Sequence, residues 1–324
     1  MRKRRLGRNG PEISALGLGC LSFGGIFGAT DENDSLRTLD AAWDHGIDFL
    51  DVANIYGKGL CETVIGKWLA TRGHRPMIAT KAGIVDGPPR GVDNSPAYLR
   101  AELEGSLKRL GVDHVQLFYA HRHDPRIPAE DLAGSMQRLQ EEGKILSYGL
   151  SEVAPYTLER AHAVHPVTAV QNEYSLWTRA PELGVIQACK ALGIAFIPFS
   201  PLARGMLGDT PIARPEDGFR GTNPRFTEPN FSANLTKIAP FRAFAAQRGW
   251  STPATALAWI LHQGDHLIPI PGTRHAANLR QWAQATDIRF TPDDLAEIDL
   301  LLPPGWAEGD RYGDHQLLAI ERYC

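Results

Sequence analysis

The feature that most restricts the fold of this chain is a strict alternation of two kinds of segment. From residue 31 onward, amphipathic segments of helical period are each followed by a short apolar run that ends in polar residues. The first segment, residues 31–46, begins with capping acids and ends at Gly46, and GIDFLDVA follows as a strand. The cycle occurs seven times, and ISALGLGCLSFGG precedes it as one further strand. This order predicts eight strands in a parallel sheet.

The later cycles repeat the same pattern and extend it over most of the chain. Their helical segments span residues 62–73, 95–111, 128–143, 155–164, 182–193 and 252–264, and their strands span residues 76–83, 114–122, 144–153, 168–175, 194–201 and 266–273. Eight units over about 250 residues fit a closed (β/α)8 TIM barrel, whereas a doubly wound open sheet more usually has about five to seven strands. The fold class predicted is therefore α/β, and a TIM barrel is favoured.

Other segments add to this barrel without dividing it. Because no low-complexity tract or linker interrupts residues 1–324, we expect one barrel domain. The NGP turn within RRLGRNGPEIS predicts an N-terminal β-hairpin. Segment 201–235, rich in Pro, Gly and Asn, is too long for an ordinary connection and is predicted to be a functional loop over the site. A C-terminal tail, WAEGDRYGDHQLL, is expected at the barrel mouth.

Composition excludes several classes of function. The 324 residues are 43% hydrophobic and 22% charged with a formal charge of -3, which gives no reason to expect a nucleic-acid partner. No stretch approaches the roughly 20 apolar residues of a membrane span, and the basic start lacks the apolar core of a signal peptide. The cysteines form no CxxC pair, so we expect neither disulfides nor a metal site, and a cytoplasmic location. They lie at Cys20, Cys61, Cys189 and Cys324.

Polar residues follow the predicted strands where the carboxyl ends of a barrel would meet, which is where such barrels carry their active sites. They are Asp51, Tyr56, Lys81, His121, Ser151, Gln171 and Ser200. Taken singly, each can be explained as a loop cap, a rim residue or a hydrogen-bonded core residue. Four titratable groups on four strand ends favour a common site, because perturbed pKa values arise where burial meets charged partners.

The chemistry of four of these residues suits the reduction of a carbonyl group. An ammonium at Lys81 would lower the pKa of the phenol of Tyr56, and Asp51 would keep Lys81 charged. A neutral His121 would orient a carbonyl oxygen toward Tyr56. This set supplies a proton and no reductant, so a cofactor must bring the hydride.

The sequence also suggests where such a cofactor would bind. GLGCLS lacks the third glycine of a dinucleotide fingerprint, and the helix after it starts too late. Polar groups at Ser151, Asn172 and Gln171 could bind a carboxamide, and Phe199 could stack on a nicotinamide ring; the alternative is that these residues only satisfy their loops. Gly272 and Thr273 are predicted at a helix start, where free N–H groups attract phosphate, and Arg274 adds a charge there.

Several motifs resemble those of the aldo-keto reductase family over nearly the whole chain: FLDVANIYG, ATKAG, SLKRLGVDHVQLFYAHRHDP, GKILSYGLSEV, QNEYSLW and FSPLARGML. The later ones are most similar to a pyridoxal-reductase-like branch. The resemblance implies that Asp51, Tyr56, Lys81 and His121 form the catalytic tetrad, with Tyr56 as the general acid. It also implies NADPH as the usual hydride donor.

The resemblance assigns further cofactor residues and marks departures from the family pattern. It implies a pyrophosphate loop formed by Ser200, Pro201, Leu202, Arg204, Gly205 and Leu207. Asn278 and Gln281 fall at the adenine end, where the family often has other residues, and Glu152 stands where it often has Asn. Arg274 suits a 2′-phosphate, so NADP(H) is expected, with NAD(H) as the alternative cofactor.

Two other functions remain open from the sequence. His121 and His123 form an HxH at a strand end, which would fit a metal-dependent hydrolase on a TIM barrel. A non-catalytic NADPH-binding sensor is the second alternative. The expected partner is a small carbonyl substrate. The sequence leaves open the identity of that substrate and the oligomeric state of the protein. Four aromatic residues could line an apolar pocket or simply pack: Trp177, Phe219, Phe226 and Trp306.

Overall fold

The computed structural model describes residues 1–87, 90–215 and 218–322. In chain order the strands are β1 (Lys3–Arg5), β2 (Glu12–Ser14), β3 (Leu18–Gly19), β4 (Phe49–Asp51), β5 (Met77–Ala82), β6 (Ile84–Val85), β7 (Gly91–Val92), β8 (Leu117–Ala120), β9 (Tyr148–Ser151), β10 (Ala169–Gln171) and β11 (Ala195–Phe196). Seven of them form one parallel sheet in the order β11-β10-β9-β8-β5-β4-β3. Both faces of these strands are buried, as expected of a parallel sheet covered by helices.

The helices follow the predicted alternation. They are α1 (Glu32–Asp44), α2 (Leu60–Arg72), α3 (Pro96–Leu110), α4 (Ala129–Glu141), α5 (Pro155–Val164), α6 (Val185–Leu192), α7 (Gly218–Gly221), α8 (Asn230–Gln247), α9 (Thr252–His262), α10 (Ala277–Ala283) and α11 (Pro292–Leu301). Capping fixes several starts: the side chains of Asp31, Ser95 and Ser251 each accept a hydrogen bond from the third residue of the helix. The long helix α8 was not predicted, and it begins inside the segment assigned to a loop.

The segment predicted as the eighth strand, HLIPIPGT, does not form a regular strand. Its backbone still bonds to both edges of the sheet: the Ile268 N–H donates to the Phe196 carbonyl (2.9 Å), and the Gly17 N–H donates to the Pro269 carbonyl (3.0 Å). Pro269 and Pro271 have no N–H, so a regular ladder cannot run through them. The described chain is therefore an α/β, barrel-like fold with seven regular parallel strands whose edges meet across an irregular segment.

The N-terminal hairpin closes the end of the fold that lies away from the strand carboxyl ends. β1 pairs antiparallel with β2, as the sequence predicts. The Ser14 N–H donates to the Asp48 carboxylate (2.7 Å) just before β4, and the guanidinium of Arg4 donates to the carbonyls of Gly264 and Leu261 (2.8 and 2.6 Å). This leaves the opposite end of the sheet open for loops. No helix in the described part of the chain is long and apolar enough to cross a bilayer.

Side chains along the strands alternate between two apolar clusters. In β8, Leu117 and Tyr119 belong to an inner cluster with Phe49 and Ala169, while Phe118 packs in the larger cluster shared with the helices. This period of two is the signature of a strand, and burial on both sides explains why the strands read as continuous apolar runs.

Candidate active site

The polar side chains predicted at strand ends lie together at one edge of the sheet, because parallel strands share the direction of their carboxyl ends. Asp51 ends β4 and Lys81 lies near the end of β5, while Ser151 and Gln171 end β9 and β10. His121 follows β8 directly. The structure therefore brings together residues from five separate strands.

A buried ion pair lies at the centre of this group. The ammonium of Lys81 donates to the carboxylate of Asp51 (2.5 Å) and to the Val52 carbonyl (2.8 Å), and Gln171 donates to the second Asp51 oxygen (2.7 Å). Lys81 and Asp51 are 0% and 2% exposed. Burial by itself would lower the pKa of Lys81, but Asp51 and Tyr56 together raise it, so the ammonium stays charged at neutral pH.

Tyr56 reaches this pair from the turn that follows β4. Gly57 and Lys58 have left-handed φ values of 58° and 54°, and a Cβ on Gly57 would lie 2.8 Å from the Gly24 Cα, so the turn requires glycine. The Lys81 ammonium donates to the Tyr56 hydroxyl at 3.4 Å and lies 4.9 Å from the ring centroid.

One expectation about Tyr56 is wrong in its net effect. Lys81 does act to lower the pKa of the phenol, but burial of the ring raises it more, and Asp51 adds to the increase. The pKa of Tyr56 therefore lies above its ordinary value of 10.0. The consequence is that the hydroxyl is fully protonated at neutral pH, the form that a proton donor needs.

His121 faces Tyr56 and is neutral, as predicted. The two rings meet edge to face with their centroids 5.7 Å apart. Burial, Lys81, Arg122 and Arg90, in that order, hold the pKa of His121 well below its ordinary value of 6.5. Its Nδ1 is buried and has no hydrogen-bond partner among the described residues.

A cavity of about 980 Å³ opens above these groups and is lined by Asp51, Tyr56 and His121, while Lys81 lies beneath them. Most of the predicted cofactor residues line it: Ser151, Gln171, Phe199, Ser200, Pro201, Leu202, Arg204, Gly205, Gly272, Thr273, Arg274, Asn278 and Gln281. Asn172 and Leu207 do not. Asn172 is buried and bonds to the Val153 carbonyl (3.0 Å) and the Glu152 N–H (2.8 Å), and Leu207 is a core residue.

The expected helix start at Gly272 and Thr273 is wrong by about one turn. The helix α10 begins at Ala277. The Thr273 hydroxyl instead accepts bonds from the His275 N–H (3.0 Å) and the Asn278 amide (2.9 Å), which fixes an irregular turn before the helix. The cavity wall at this point is therefore a turn with polar side chains.

Two loops meet above the cavity. Arg274 donates to the carbonyls of Phe27 and Ala29 (3.0 and 3.1 Å), so it holds the loop after β3. On the other side the guanidinium of Arg220 lies 4.6 Å from the Phe27 ring centroid, and Phe27 meets Phe219 edge to face at 5.8 Å. The segment predicted as a functional loop thus covers the cavity. Its partner, the loop around Phe27, was not predicted.

Comparison with known proteins decides the family. The sequence model described as "Aldo/keto reductase family" matches residues 15–303. The chain belongs to the aldo/keto reductase family. It is 38% identical over 314 residues to a probable aldo-keto reductase 1 of Glycine max, covering 95% of this chain and 91% of the relative. Members of this family are carbonyl-reducing oxidoreductases, so the chain is an enzyme of that class.

Solved reductases share the fold along almost the full length. A glycerol dehydrogenase of Gluconobacter oxydans has a TM-score of 0.84 and 28% identity, with 93% of this chain and 94% of that chain covered. An aldo-keto reductase of Bacillus halodurans in its holo form has a TM-score of 0.78 and 25% identity, covering 98% and 99%. A Klebsiella pneumoniae aldo/keto reductase in complex with NADP and acetate is similar in fold, with a TM-score of 0.76 and 23% identity, and 97% of this chain and 99% of that chain are covered.

The C-terminal tail of this reductase is anchored over the cavity by a buried ionic network. Arg311 donates to Glu152 and, at 3.3 Å, to Glu173, which also accepts from Arg204 (3.0 Å). Burial would raise the pKa of Glu173, but Arg204 and Arg311 lower it. Tyr312 lies 4.6 Å from the Arg204 guanidinium and lines the cavity. Glu152, where the family often has asparagine, thus has a partner within the chain.

The HxH pair does not converge on a metal site. The Nε2–H of His123 donates to the Ile127 carbonyl (2.9 Å), and its Nδ1 lies 2.9 Å from the Glu321 carboxylate, so these contacts tie the end of the tail to the loop after β8. Burial alone would lower the pKa of His123, but Glu321 and Ile127 raise it. No group of three or more His, Cys, Asp or Glu side chains is arranged for a metal within residues 1–87, 90–215 and 218–322.

The four aromatic residues proposed as a pocket separate into two groups. Phe219 lines the cavity. Trp177 packs against Phe226 (5.8 Å) and Trp306 (5.6 Å), and all three rings are buried away from the cavity. Their role is packing beneath the tail, and only spatial information separates them from Phe219.

We expect the buried His121 to make stability depend on pH. Since its pKa is lowered in the folded state, the unfolded chain binds a proton first, and the free energy of unfolding falls as pH drops below about 6.5. Between pH 6.5 and 5.5 the wild type should lose up to about 1 kcal/mol more than His121→Gln, measured by urea unfolding.

His123→Gln provides a control of opposite sign. The raised pKa of His123 gives a stabilisation that is complete below about pH 6.5 and is lost as pH rises through the folded pKa. This variant should therefore lose stability relative to the wild type at pH 6.5 but not well above that pKa. A His121→Gln variant with the acid dependence of the wild type would contradict the neutral buried imidazole.

Removal of Arg311 should weaken the fold because the buried carboxylate of Glu152 would lose its ion-pair partner and that of Glu173 one of its two. We expect Arg311→Met to lower the free energy of unfolding by about 3 kcal/mol, in the range for breaking a buried ion pair. Arg100→Met removes an exposed pair with Glu142, whose side chains are 40% and 37% exposed, and should cost less than about 1 kcal/mol. If Arg311→Met and Arg100→Met lowered the free energy of unfolding equally, the buried tail network would stabilise the fold no more than an exposed ion pair does.

Proposed function

We propose that the protein reduces an aldehyde or ketone to an alcohol with NADPH, and that Tyr56 donates the proton. The observation that carries this proposal is the continuous contact from Asp51 through the buried Lys81 ammonium to the Tyr56 hydroxyl, at 2.5 and 3.4 Å, at the floor of the cavity. A purely structural role for the Asp51–Lys81 pair would not explain why Lys81 also contacts the hydroxyl of a tyrosine that lines the cavity. Membership of the aldo/keto reductase family supports the same reaction.

The four residues divide the work of moving one proton. The protonated Tyr56 hydroxyl donates to the carbonyl oxygen as negative charge develops there, and the neighbouring ammonium of Lys81 stabilises the phenolate that remains. Asp51 keeps that ammonium charged in a site from which water is excluded. The neutral imidazole of His121 donates a hydrogen bond to the same oxygen and orients it toward Tyr56.

The chemistry of the cavity suits a dinucleotide. NADPH, when bound, supplies the hydride. Phe199 and the polar groups of Ser151 and Gln171 would hold the nicotinamide, close to Tyr56. Farther along the cavity wall lie three guanidiniums, those of Arg204, Arg220 and Arg274. The pKa of Arg220 is lowered by burial and by the positive charges of Arg274 and Arg204. This concentration of guanidiniums would bind phosphates, including a 2′-phosphate, which favours NADP(H) over NAD(H).

The same proposal covers three further points. Tyr56 and Lys81 in contact favour a working reductase over a sensor that only binds NADPH. We place residues 1–324 in one reductase domain that acts on a small carbonyl compound. The resemblance to the pyridoxal-reductase-like branch makes pyridoxal the first substrate to test. A cytoplasmic site of action fits the free, buried thiols of Cys20, Cys61 and Cys189.

Replacing Tyr56 by phenylalanine should abolish reduction because only the proton donor is removed. We expect kcat/KM for an aldehyde to fall by at least about 10²-fold, the typical share of general acid catalysis. The dissociation constant for NADPH, measured by quenching of protein fluorescence, should stay close to that of the wild type. Wild-type turnover by Tyr56→Phe would refute the role, and a wild-type protein that binds NADPH without reducing any carbonyl would be a sensor.

Replacing Arg274 by alanine tests the phosphate site. The variant loses the clasp on the loop around Phe27 for both cofactors, so the informative quantity is the ratio of the dissociation constants for NADPH and NADH. Loss of a charged hydrogen bond to the 2′-phosphate should raise this ratio about tenfold or more. Arg280→Ala, on the exposed face of α10, controls for the loss of one charge. An unchanged ratio in Arg274→Ala would move the phosphate site elsewhere.

A further inference from the structure

Two guanidiniums line the cavity beside the proposed proton donor, and the proposed mechanism uses neither. Arg122 follows His121 directly, and Arg90 immediately precedes β7, which pairs with β6 in a small ladder shortly after the end of β5. Both residues line the same cavity as Tyr56.

Arg122 is held in place without a counter-ion. One of its terminal nitrogens donates to the His121 carbonyl (2.6 Å) and to the Ser151 hydroxyl (3.1 Å). Neither Arg122 nor Arg90 forms an ion pair within the described ranges, whereas Arg204 and Arg311 pair with buried carboxylates. The nearby carboxylate of Asp86 has its own partner, Lys58, at 4.0 Å.

These two cations form a group separate from the one assigned to the cofactor. Burial lowers the pKa of Arg90 most, and Arg122 is the next largest cause. The pKa of Arg220 is lowered by burial and then by a different pair, Arg274 and Arg204. Like charges that approach one another in a partly desolvated cavity raise the local positive potential. Such a potential attracts an anion from solution and fixes its position next to the reacting group.

We propose that Arg90 and Arg122 form an anion subsite for the substrate, so that this reductase prefers carbonyl compounds carrying a carboxylate or a phosphate group. The proposal rests on the reduction proposed above and adds the class of substrate. A guanidinium binds either oxyanion through paired N–H groups, and Arg122 is oriented by its bonds to His121 and Ser151. Tyr312 of the anchored tail forms part of the same cavity wall.

The test compares matched substrates that differ by the charged group. Succinic semialdehyde is compared with butanal, and glyceraldehyde 3-phosphate with glyceraldehyde, so that the two pairs separate carboxylate from phosphate. We expect the wild type to show a kcat/KM at least about tenfold higher for the anionic member of one or both pairs. This preference should decrease as ionic strength rises, because the subsite opens to solvent at Arg90.

Arg90→Gln is the diagnostic variant, since Arg90 is exposed and forms no ion pair with another described residue. The anionic-to-neutral ratio of kcat/KM should fall about tenfold, mainly through KM for the anionic member. Arg75→Gln makes the same change in charge at an exposed residue before β5, at the opposite end of the sheet, and should retain the wild-type ratio.

The possible outcomes are distinct. If the wild type reduces neutral and anionic members equally well, or if Arg90→Gln keeps the preference, the anion subsite is refuted while the proposed reduction stands. If Arg90→Gln weakens NADPH binding and leaves the substrate ratio unchanged, Arg90 serves the cofactor and the subsite is again refuted. If no carbonyl compound is reduced at all, the proposed function fails and the inference falls with it.

Discussion

The buried ion pair between Lys81 and Asp51 is the interaction on which the rest of the site depends. Two charges removed from water are tolerated only when hydrogen bonds satisfy them, and here Val52 and Gln171 complete the set. The pair fixes an ammonium next to the Tyr56 ring, and this ammonium acts to lower the pKa of the phenol. Burial outweighs this effect and keeps the phenol protonated at neutral pH, so in the proposed reduction the burial holds the proton on Tyr56 and the ion pair would stabilise the phenolate left after its transfer.

Around this fixed centre the chain builds its cover from segments far apart in sequence. The loop after β3, the segment around Phe219 and Arg220, and the C-terminal tail meet above the cavity through guanidiniums that contact carbonyls, rings and carboxylates. The same residue type therefore serves two purposes. Arg204, Arg274 and Arg311 hold the cover together through carboxylates and carbonyls. Arg90 and Arg122 form no ion pair within the described ranges, and we propose that they meet a charged substrate.

Some of the site could be predicted because each signal was local. Asp51, Lys81 and His121 were identified from the end of an apolar run, and a parallel sheet must gather such ends at one edge. The direction of the Tyr56 pKa could not be predicted, because it depends on whether burial outweighs Lys81. Nor could the start of α10, where side-chain bonds at Thr273 form a turn before the helix. Arg90 and Arg122 gave no local signal, since their importance comes only from the cavity that they share.

The sequence by itself determined the alternation of helices and strands, the parallel sheet and the residues at its carboxyl edge, because periodicity and capping involve neighbours within a few positions. Only the tertiary structure decided that the last apolar segment joins the sheet irregularly, that Trp177 packs while Phe219 lines the cavity, and that the tail is held by Arg311. These outcomes depend on contacts such as the one between Arg311 and Glu152, 159 residues apart. Distances of that kind are set by how the whole chain packs, and no local pattern encodes them.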